Sequence, residues 1–200
     1  MVLDMNINLA GIDEEFLEEL DELIEETRVE YFTINPVTQK ELEETKTLCK
    51  EYERFKYTIP VELIDSQDKN CVAIHIKNST EINQTNNQPV VIESNVLNDK
   101  FIEVLNKSDI KGVILNAKES DNRLVNFTYS ISHESLKDWT KKGLTDTDYN
   151  RLALQSDYPN YSYDDLFEIL LKEMSDMTFR AEQTIAAGGT RAILKTFGLM

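Results

Sequence analysis

Six polar residues lie within or directly after short apolar, β-branched segments, and their types are those that bind ligands or metals. They are Asn6, Asn8, His75, Glu93, Asn116 and Asp157. The carboxylates of Glu93 and Asp157 could hold a divalent cation, and two carboxylates suit hydrated magnesium better than zinc. Asparagine amides are weak neutral metal ligands, although they hydrogen-bond well to polar molecules. The residue types therefore indicate either a polar binding cleft or a metal-assisted hydrolase with few ligands.

Nucleophilic catalysis has less support in the sequence. His75 and His133 are the two histidines, and their spacing pairs neither with a serine or cysteine nucleophile. Cys49 lies near the apolar edge of a predicted helix and Cys71 begins a predicted strand. We therefore interpret both cysteines as small hydrophobic residues.

Eight segments have the β-branched and aromatic pattern of strands and would position the six polar residues. They are Met5–Leu9, Glu30–Asn35, Tyr57–Leu63, Cys71–Ile76, Pro89–Ser94, Gly112–Asn116, Leu124–Ser130 and Leu152–Ser156. Apolar residues at helical spacing predict helices between and after them. These helices span Asp13–Arg28, a segment opened by a Thr38–Glu41 capping box, Asn98–Asn106, Ser162–Met177 and Thr190–Phe197.

The repeated order of strand, helix and strand favours parallel pairing, and eight such strands can close into a (β/α)8 barrel of TIM type. The polar segment Lys77–Gln88 shows no helical period, so we expect some outer helices to be missing. No linker divides the chain, which predicts one α/β domain over residues 1–200. In such a barrel the polar residues at the carboxyl ends of the strands share one mouth, where barrel active sites form.

The chain is strongly acidic, with 37 acidic and 21 basic residues and a formal net charge of −16. This field repels phosphate backbones and anionic membranes, so nucleic acid is not the expected partner. The acids concentrate in the predicted helix at 13–28, which is either a solvated face or a docking surface for a basic protein. We find no membrane-spanning segment or secretion signal and expect a cytoplasmic protein.

Several segments resemble the TatD-type metal-dependent deoxyribonucleases, a family of amidohydrolase-type barrels. Leu3–Leu9 is similar to the family's Asp-x-His-x-His-Leu opening strand, and Gln88–Asn95 to its Leu-Pro-Val-Ile-Ile-His-Ser-Arg strand. Gly112–Asn116 resembles Gly-Val-x-His, Leu152–Pro159 resembles Leu-Leu-Leu-Glu-Thr-Asp-x-Pro, and Thr190–Leu199 resembles the terminal Asn-x-x-Arg-Leu-Phe-Gly-Leu helix. The resemblance extends over nearly the whole chain.

The metal-binding positions that this resemblance implies are mostly substituted. Asn6 and Asn8 replace the two opening histidines, Glu93 replaces the strand-five histidine, and Asn116 replaces the next one. The family's bridging glutamate falls on Ile76 or beside His75. Asp157 matches the family's aspartate.

We therefore predict a TatD-like barrel that lacks catalysis and a cofactor and acts as a binding, regulatory or structural component. The alternative is a deoxyribonuclease or phosphoesterase with Asp157 as catalytic residue and Glu93 and Asp157 as magnesium or manganese ligands. A small-molecule binding module in the same mouth is the third possibility, with Asn6, Asn8, His75 and Asn116 forming the cleft.

Overall fold

Eight parallel strands close into a barrel in sequence order, with the last strand paired to the first. The computed structural model describes residues 2–27, 29–64, 68–132, 134–135, 138–139, 151–163 and 190–200. The strands are β1 Val2–Ile7, β2 Val29–Ile34, β3 Phe55–Pro60, β4 Cys71–Ile76, β5 Val90–Glu93, β6 Gly112–Leu115, β7 Phe127–Ile131 and β8 Leu152–Leu154. The predicted (β/α)8 barrel is confirmed.

Five described helices accompany the strands: α1 Glu14–Glu18, α2 Leu20–Thr27, α3 Gln39–Glu51, α4 Asp99–Lys107 and α5 Thr190–Thr196. The predicted capping box at the start of α3 is present, with Thr38 and Glu41 as its two partners. The single helix predicted over Asp13–Arg28 is wrong, because the chain leaves helical geometry at Glu19, where ψ is 0°. Acidic side chains one turn apart repel each other and weaken a helix in this segment. Whether the segment stays helical therefore depends on how its apolar residues pack. The predicted helix Ser162–Met177 falls almost wholly outside the described residues.

The outer layer of helices is incomplete, as the polar segment after β4 predicted. That segment forms one short 3-10 helix, Ser79–Gln84, in place of an α-helix. Residues 116–126, all described, connect β6 to β7 without any helix. Throughout the described ranges, every helix is too short or too polar to cross a bilayer.

Two apolar clusters pack on the two faces of the barrel wall. The larger cluster contains Phe16, Phe32, Leu42 and Phe101 and lies between the strands and the outer helices. The smaller cluster joins residues of strands that lie on opposite sides of the barrel, so it must fill the barrel's interior. Its members are Leu3, Met5, Val72, Ala73, Val91, Val113, Leu115 and Ala153, together with Ile193, Leu194 and Phe197 of the terminal segment. The terminal helix α5 therefore packs against the interior of the barrel.

Asp4 closes the seam between β1 and β8. That ladder has a single register pair, Asp4 with Leu154. The fully buried Asp4 carboxylate accepts hydrogen bonds from the amides of Asn6 and Ser156 at 3.0 Å each and from the Tyr163 hydroxyl at 2.5 Å. The Ser156 hydroxyl donates a fourth, short hydrogen bond. Burial raises the pKa of Asp4, against the opposing effect of these four donors. The side chain thus supplies the cross-seam bonds that the short ladder lacks.

Substitution of Asp4 by Asn should destabilise the protein strongly. The N–H groups of the new amide would point at groups that are themselves hydrogen-bond donors. Each buried polar group left without a partner lowers the free energy of unfolding by about 1–3 kcal/mol, and by more where a charged group was involved. Urea unfolding of the Asp4→Asn variant at neutral pH measures this loss. Glu14→Gln, which removes a carboxylate from an exposed position, is the control.

The pH dependence gives this prediction a second readout. Because the pKa of folded Asp4 is raised above the ordinary 3.8, protonation of Asp4 adds stability to the folded state; this added stability is fully present below 3.8 and is lost as pH rises through the folded pKa. The stability difference between the wild type and Asp4→Asn should therefore widen as pH falls. Equal stability of Asp4→Asn and Glu14→Gln would show that the seam does not depend on this carboxylate.

Candidate functional site

The six predicted site residues all lie at the carboxyl-terminal end of the barrel, as the barrel fold requires. Asn6 and His75 belong to β1 and β4, Glu93 ends β5, and Asn116 directly follows β6. Asn8 and Asp157 follow β1 and β8. The structure links Asn6, Glu93, Asn116 and Asp157 in one hydrogen-bonded network, which we call the mouth network.

One half of the mouth network runs from β3 to Asp157. The Thr58 hydroxyl donates to Asn35 Oδ1 at 2.5 Å, and Asn35 Nδ2 donates to Asn6 Oδ1 at 2.6 Å. Asn6 Nδ2 then donates to Asp157 Oδ1 at 2.7 Å. Because an ionised carboxylate can only accept, Asp157 fixes the orientation of the Asn6 amide and, through it, that of Asn35.

The other half runs from Asp157 to Glu93. Gln155 Nε2 donates to Asp157 Oδ1 at 2.8 Å and to Asn116 Oδ1 at 3.0 Å. Asn116 Nδ2 donates to Glu93 Oε2 at 3.0 Å. Ser130 supports the centre of this half by donating a short hydrogen bond to Gln155 Oε1. The two carboxylates are thus joined through two amide side chains.

Four members of the mouth network were not among the predicted site residues: Asn35, Thr58, Ser130 and Gln155. Gln155 is two residues from Asp157 and two from the interior residue Ala153. Since side chains two apart on a strand face the same side, this alternation could have identified Gln155. Thr58 and Ser130 are fully buried polar residues in the middle of strands, and the sequence gives no comparable signal for them.

Two mouth residues have left-handed backbone conformations that explain their types. Asn116 has φ of 53° and Asp157 has φ of 57°. Asparagine and aspartate enter this region at lower cost than other residues with a Cβ, and such conformations cluster at functional sites. The backbone is fixed on both sides, because Ser94 Oγ donates to Asn116 O at 2.7 Å and the Asp157 amide donates to Asn6 O at 3.0 Å.

Asn8 and His75 lie outside the mouth network. Asn8 Oδ1 accepts from the Ala10 amide at 3.0 Å and caps the 3-10 helix Leu9–Gly11, so it lies exposed at the rim. His75 is partly buried beside β5, and burial lowers its pKa although the Glu93 carboxylate opposes this effect. The imidazole is therefore uncharged at neutral pH. His133, the other histidine, lies outside the described residues.

The mouth does not fit the divalent cation that the TatD resemblance implies. Amide N–H groups, the positive ends of their dipoles, point at Asp157 Oδ1 and Glu93 Oε2, so these two oxygens already have donors where a cation would need bare acceptors. The described residues contain no group of three or more histidine, cysteine, aspartate or glutamate side chains arranged to hold a metal. Asp157 accepts from the side-chain amides of Asn6 and Gln155, and Glu93 accepts from that of Asn116.

The open part of the mouth is a cavity of about 550 Å3 lined by Asn6, Asn8, Asn116, Glu134, Asp157, Asn160 and Tyr161. These side chains are amides, carboxylates and one phenol. Among the lining residues that the structure describes there is no lysine or arginine, so a phosphate ester would meet the carboxylates of Glu134 and Asp157 without a cation from these residues. The chemistry of the lining favours an uncharged polar ligand with hydroxyl or amide groups.

Comparison of the sequence with protein-family models and with curated proteins finds no match. Solved structures match in fold. YjjV, a TatD homologue from Escherichia coli, has a TM-score of 0.68 at 11% identity, with 98% of each chain covered. The 5-carboxyvanillate decarboxylase LigW from Sphingomonas paucimobilis has a TM-score of 0.57 at 9% identity over 95% of this chain and 85% of its own. A 2,6-dihydroxybenzoate decarboxylase in complex with 2,6-dihydroxybenzoate has a TM-score of 0.52 at 10% identity over 100% of this chain and 98% of its own. At these identities the similarity establishes the fold alone, which is the eight-stranded parallel barrel.

Proposed function

We propose that this chain is a barrel of the TatD type without hydrolase activity, which acts as a binding, regulatory or structural component through its mouth. The observation that carries the proposal is the mouth network, in which amide N–H groups occupy one oxygen of Asp157 and one oxygen of Glu93. A hydrolase of this fold family needs those oxygens for a metal that activates water.

The energetic barrier to converting this mouth into a metal site is substantial. A cation bound through Oδ1 of Asp157 would have to displace the N–H groups of Asn6 and Gln155, and hydrogen bonds to charged groups each contribute about 1.5–3 kcal/mol. The displaced amides would then offer only neutral oxygens in exchange. The imidazole of His75 lies on the far side of Glu93 and belongs to neither half of the network.

A ligand can still bind without disturbing the network. Hydrogen bonds engage Oδ1 of Asp157 and Oε2 of Glu93, and within the described ranges no hydrogen bond reaches the second oxygen of either carboxylate, which can accept a hydroxyl or amide proton. The exposed amide of Asn8 adds a donor at the rim. This combination suits a small uncharged polar molecule, which is the small-molecule form of the proposed binding role.

A metal-dependent nuclease or phosphoesterase with an altered site is the competing function. Asp157 occupies the aspartate position of the TatD pattern and has the left-handed backbone typical of functional residues. In that case Asp157 and Glu93 would hold magnesium or manganese, and the amides of Asn6, Asn8 and Asn116 would supply supplementary oxygens.

The folded protein should not depend on a metal. Chelation is expected to leave the Tm unchanged, and added magnesium, manganese or zinc should not raise it. A metal that bound only the folded state would stabilise it by about 2.7 kcal/mol at a free concentration of 100 times its Kd, and this gain would appear as a rise in Tm. Differential scanning calorimetry, together with the metal content of the purified protein, checks this. An Asn6→His, Asn8→His double variant is the positive control, since imidazoles beside Asp157 should produce a zinc-dependent rise in Tm. A fall in the wild-type Tm on chelation would contradict the proposal.

Substitution of Asp157 by Asn should reduce stability while affecting no catalysis. The left-handed backbone accepts Asn as readily as Asp, so the substitution removes only the negative charge that accepts two hydrogen bonds. We expect this loss to lower the free energy of unfolding by about 1–3 kcal/mol. Urea unfolding and assays on DNA and aryl phosphate esters with magnesium or manganese measure both effects, with Glu93→Gln as the parallel variant. If the wild type cleaves either substrate and Asp157→Asn or Glu93→Gln abolishes cleavage, the altered-site hydrolase is the function.

A second surface supports the binding role by favouring a basic protein partner. Five carboxylates of the segment 13–28 line a groove of about 550 Å3: Asp13, Glu15, Glu19, Glu22 and Glu26. Aromatic side chains complete the groove, with Phe16 and Tyr158 packed at a centroid distance of 5.0 Å. Lysine and arginine side chains on a partner would find both opposite charge and aromatic faces there.

Charge reversal in this groove should weaken association with such a partner. Replacement of Glu19, Glu22 and Glu26 by Lys changes the sign of the groove, and the association with a lysine- and arginine-rich peptide should fall and lose its salt dependence. The control reverses three exposed acids elsewhere, Glu44, Glu51 and Asp109, for the same change in net charge. Equal binding by both variants, measured by calorimetry at low and high salt, would exclude the groove as the docking surface.

A further inference from the structure

The amino-terminal end of the barrel carries a basic cavity that stands apart from the mouth. The cavity has a volume of about 640 Å3 and is lined by four cationic side chains, Lys50, Arg54, Lys56 and Lys69, and by one carboxylate, that of Glu53. It lies at the start of β3, beside the end of α3 and the turn before β4. A local excess of positive charge is unexpected in a chain whose net charge is −16.

Lys56 is the central feature of this basic cavity. The residue is only 7% exposed, and its Nζ donates to Glu53 O at 2.6 Å and to Asn70 Oδ1 at 3.2 Å. Both acceptors are uncharged. Among the described residues, the ion pairs within 4.0 Å do not include Lys56. The ammonium group therefore keeps one N–H and its charge for a further partner.

The surroundings hold Lys56 in place. Asn70 is fixed by its own bonds, because its Nδ2 donates to Cys49 O at 3.0 Å and its amide N donates to Asp68 Oδ1 at 2.6 Å. The ring of Tyr31 lies 5.8 Å from the ammonium nitrogen. Burial lowers the pKa of Lys56, although the nearby carboxylates of Glu53 and Asp68 oppose this effect. The end of α3 supplies only a partial negative charge of about one half.

The rim of the same cavity adds three exposed cations, Lys50, Arg54 and Lys69. Lys50 and Lys69 are exposed, and the Arg54 side chain is 46% exposed with Glu30 at 3.9 Å, the long limit of an ion pair. A guanidinium fork with a buried ammonium matches the tetrahedral oxygens of a phosphate. A carboxylate carries one charge and would leave this positive site less well compensated.

We propose that this basic cavity binds a phosphate group, as free phosphate or as the phosphate of a small monoester. Lys56 contacts one oxygen from the base of the cavity, and Arg54 with Lys69 contacts the others from the rim. The site lies at the opposite end of the barrel from the mouth, so its ligand need not be a substrate. Bound phosphate would stabilise the end of the barrel at which strands β3 and β4 begin.

Titration of the full-length protein with inorganic phosphate, phenyl phosphate and acetate at constant ionic strength tests the proposal. Both phosphates should shift the backbone amide signals of residues 50–56 and 69–70 and raise the Tm, while acetate should not. Tighter binding of phenyl phosphate than of inorganic phosphate would identify the monoester as the source, because its ring can contact Tyr31. Equal affinity would identify free phosphate.

Variants distinguish binding in the cavity from a general salt effect. Lys56→Met should weaken phosphate binding by about tenfold or more, an effect of about 1.4 kcal/mol or more. Arg54→Gln with Lys69→Gln, at exposed positions that do not affect folding, should weaken it by a similar factor even if Lys56→Met is unstable. Lys100→Met, an exposed lysine of α4, is the matched control and should bind as the wild type does. No response to either phosphate, or an unchanged affinity in the Arg54→Gln, Lys69→Gln variant, would overturn the proposal.

Discussion

The buried carboxylate of Asp4 is the constraint on which both the barrel and its mouth depend. Closure requires the last strand to pair with the first, and β8 contributes three residues and one register pair to that seam. Asp4 compensates by accepting hydrogen bonds from the main chain and hydroxyl of Ser156, in the segment that follows β8. The same segment carries Asp157, whose amide then donates to Asn6 O. Closing the barrel and bringing Asp157 against Asn6 are therefore one structural event.

The mouth that results is polar but already satisfied internally. Each half of the mouth network ends at a carboxylate that receives N–H groups from amides, and the backbone at Asn116 and Asp157 is held in a conformation that few other residue types tolerate. Satisfied networks of this kind make a site rigid, because any rearrangement would leave a buried group unpaired. Rigidity with neutral donors favours selective binding of an uncharged molecule over activation of water by a metal.

Charge is distributed unevenly over the molecule, so different parts of its surface favour ligands of different charge. The acidic groove of α1 and α2 and the carboxylates of the mouth repel anions, whereas the basic cavity at the other end of the barrel attracts them. The buried ammonium of Lys56 is held in that cavity by neutral acceptors, the carbonyl oxygen of Glu53 and the amide oxygen of Asn70. The two ends of one barrel are thus suited to ligands of different charge.

The sequence by itself determined the eight strands, the capping box of α3, the missing outer helices and four of the members of the mouth network, because these depend on local periodicity and on position along a strand. Tertiary structure alone decided the rest. Asn35 and Thr58 join the mouth network only because β2 lies beside β1 and β3 lies beside β2, and the helix at 13–28 divides at Glu19 although its apolar spacing is continuous. The basic cavity was equally hidden, since Lys50 and Lys69 are far apart in sequence and the net charge masks them. Hydrogen bonds and electrostatic interactions depend on distance in space and not on distance along the chain. The strand order of the closed barrel determines which residues distant in sequence lie close enough to interact.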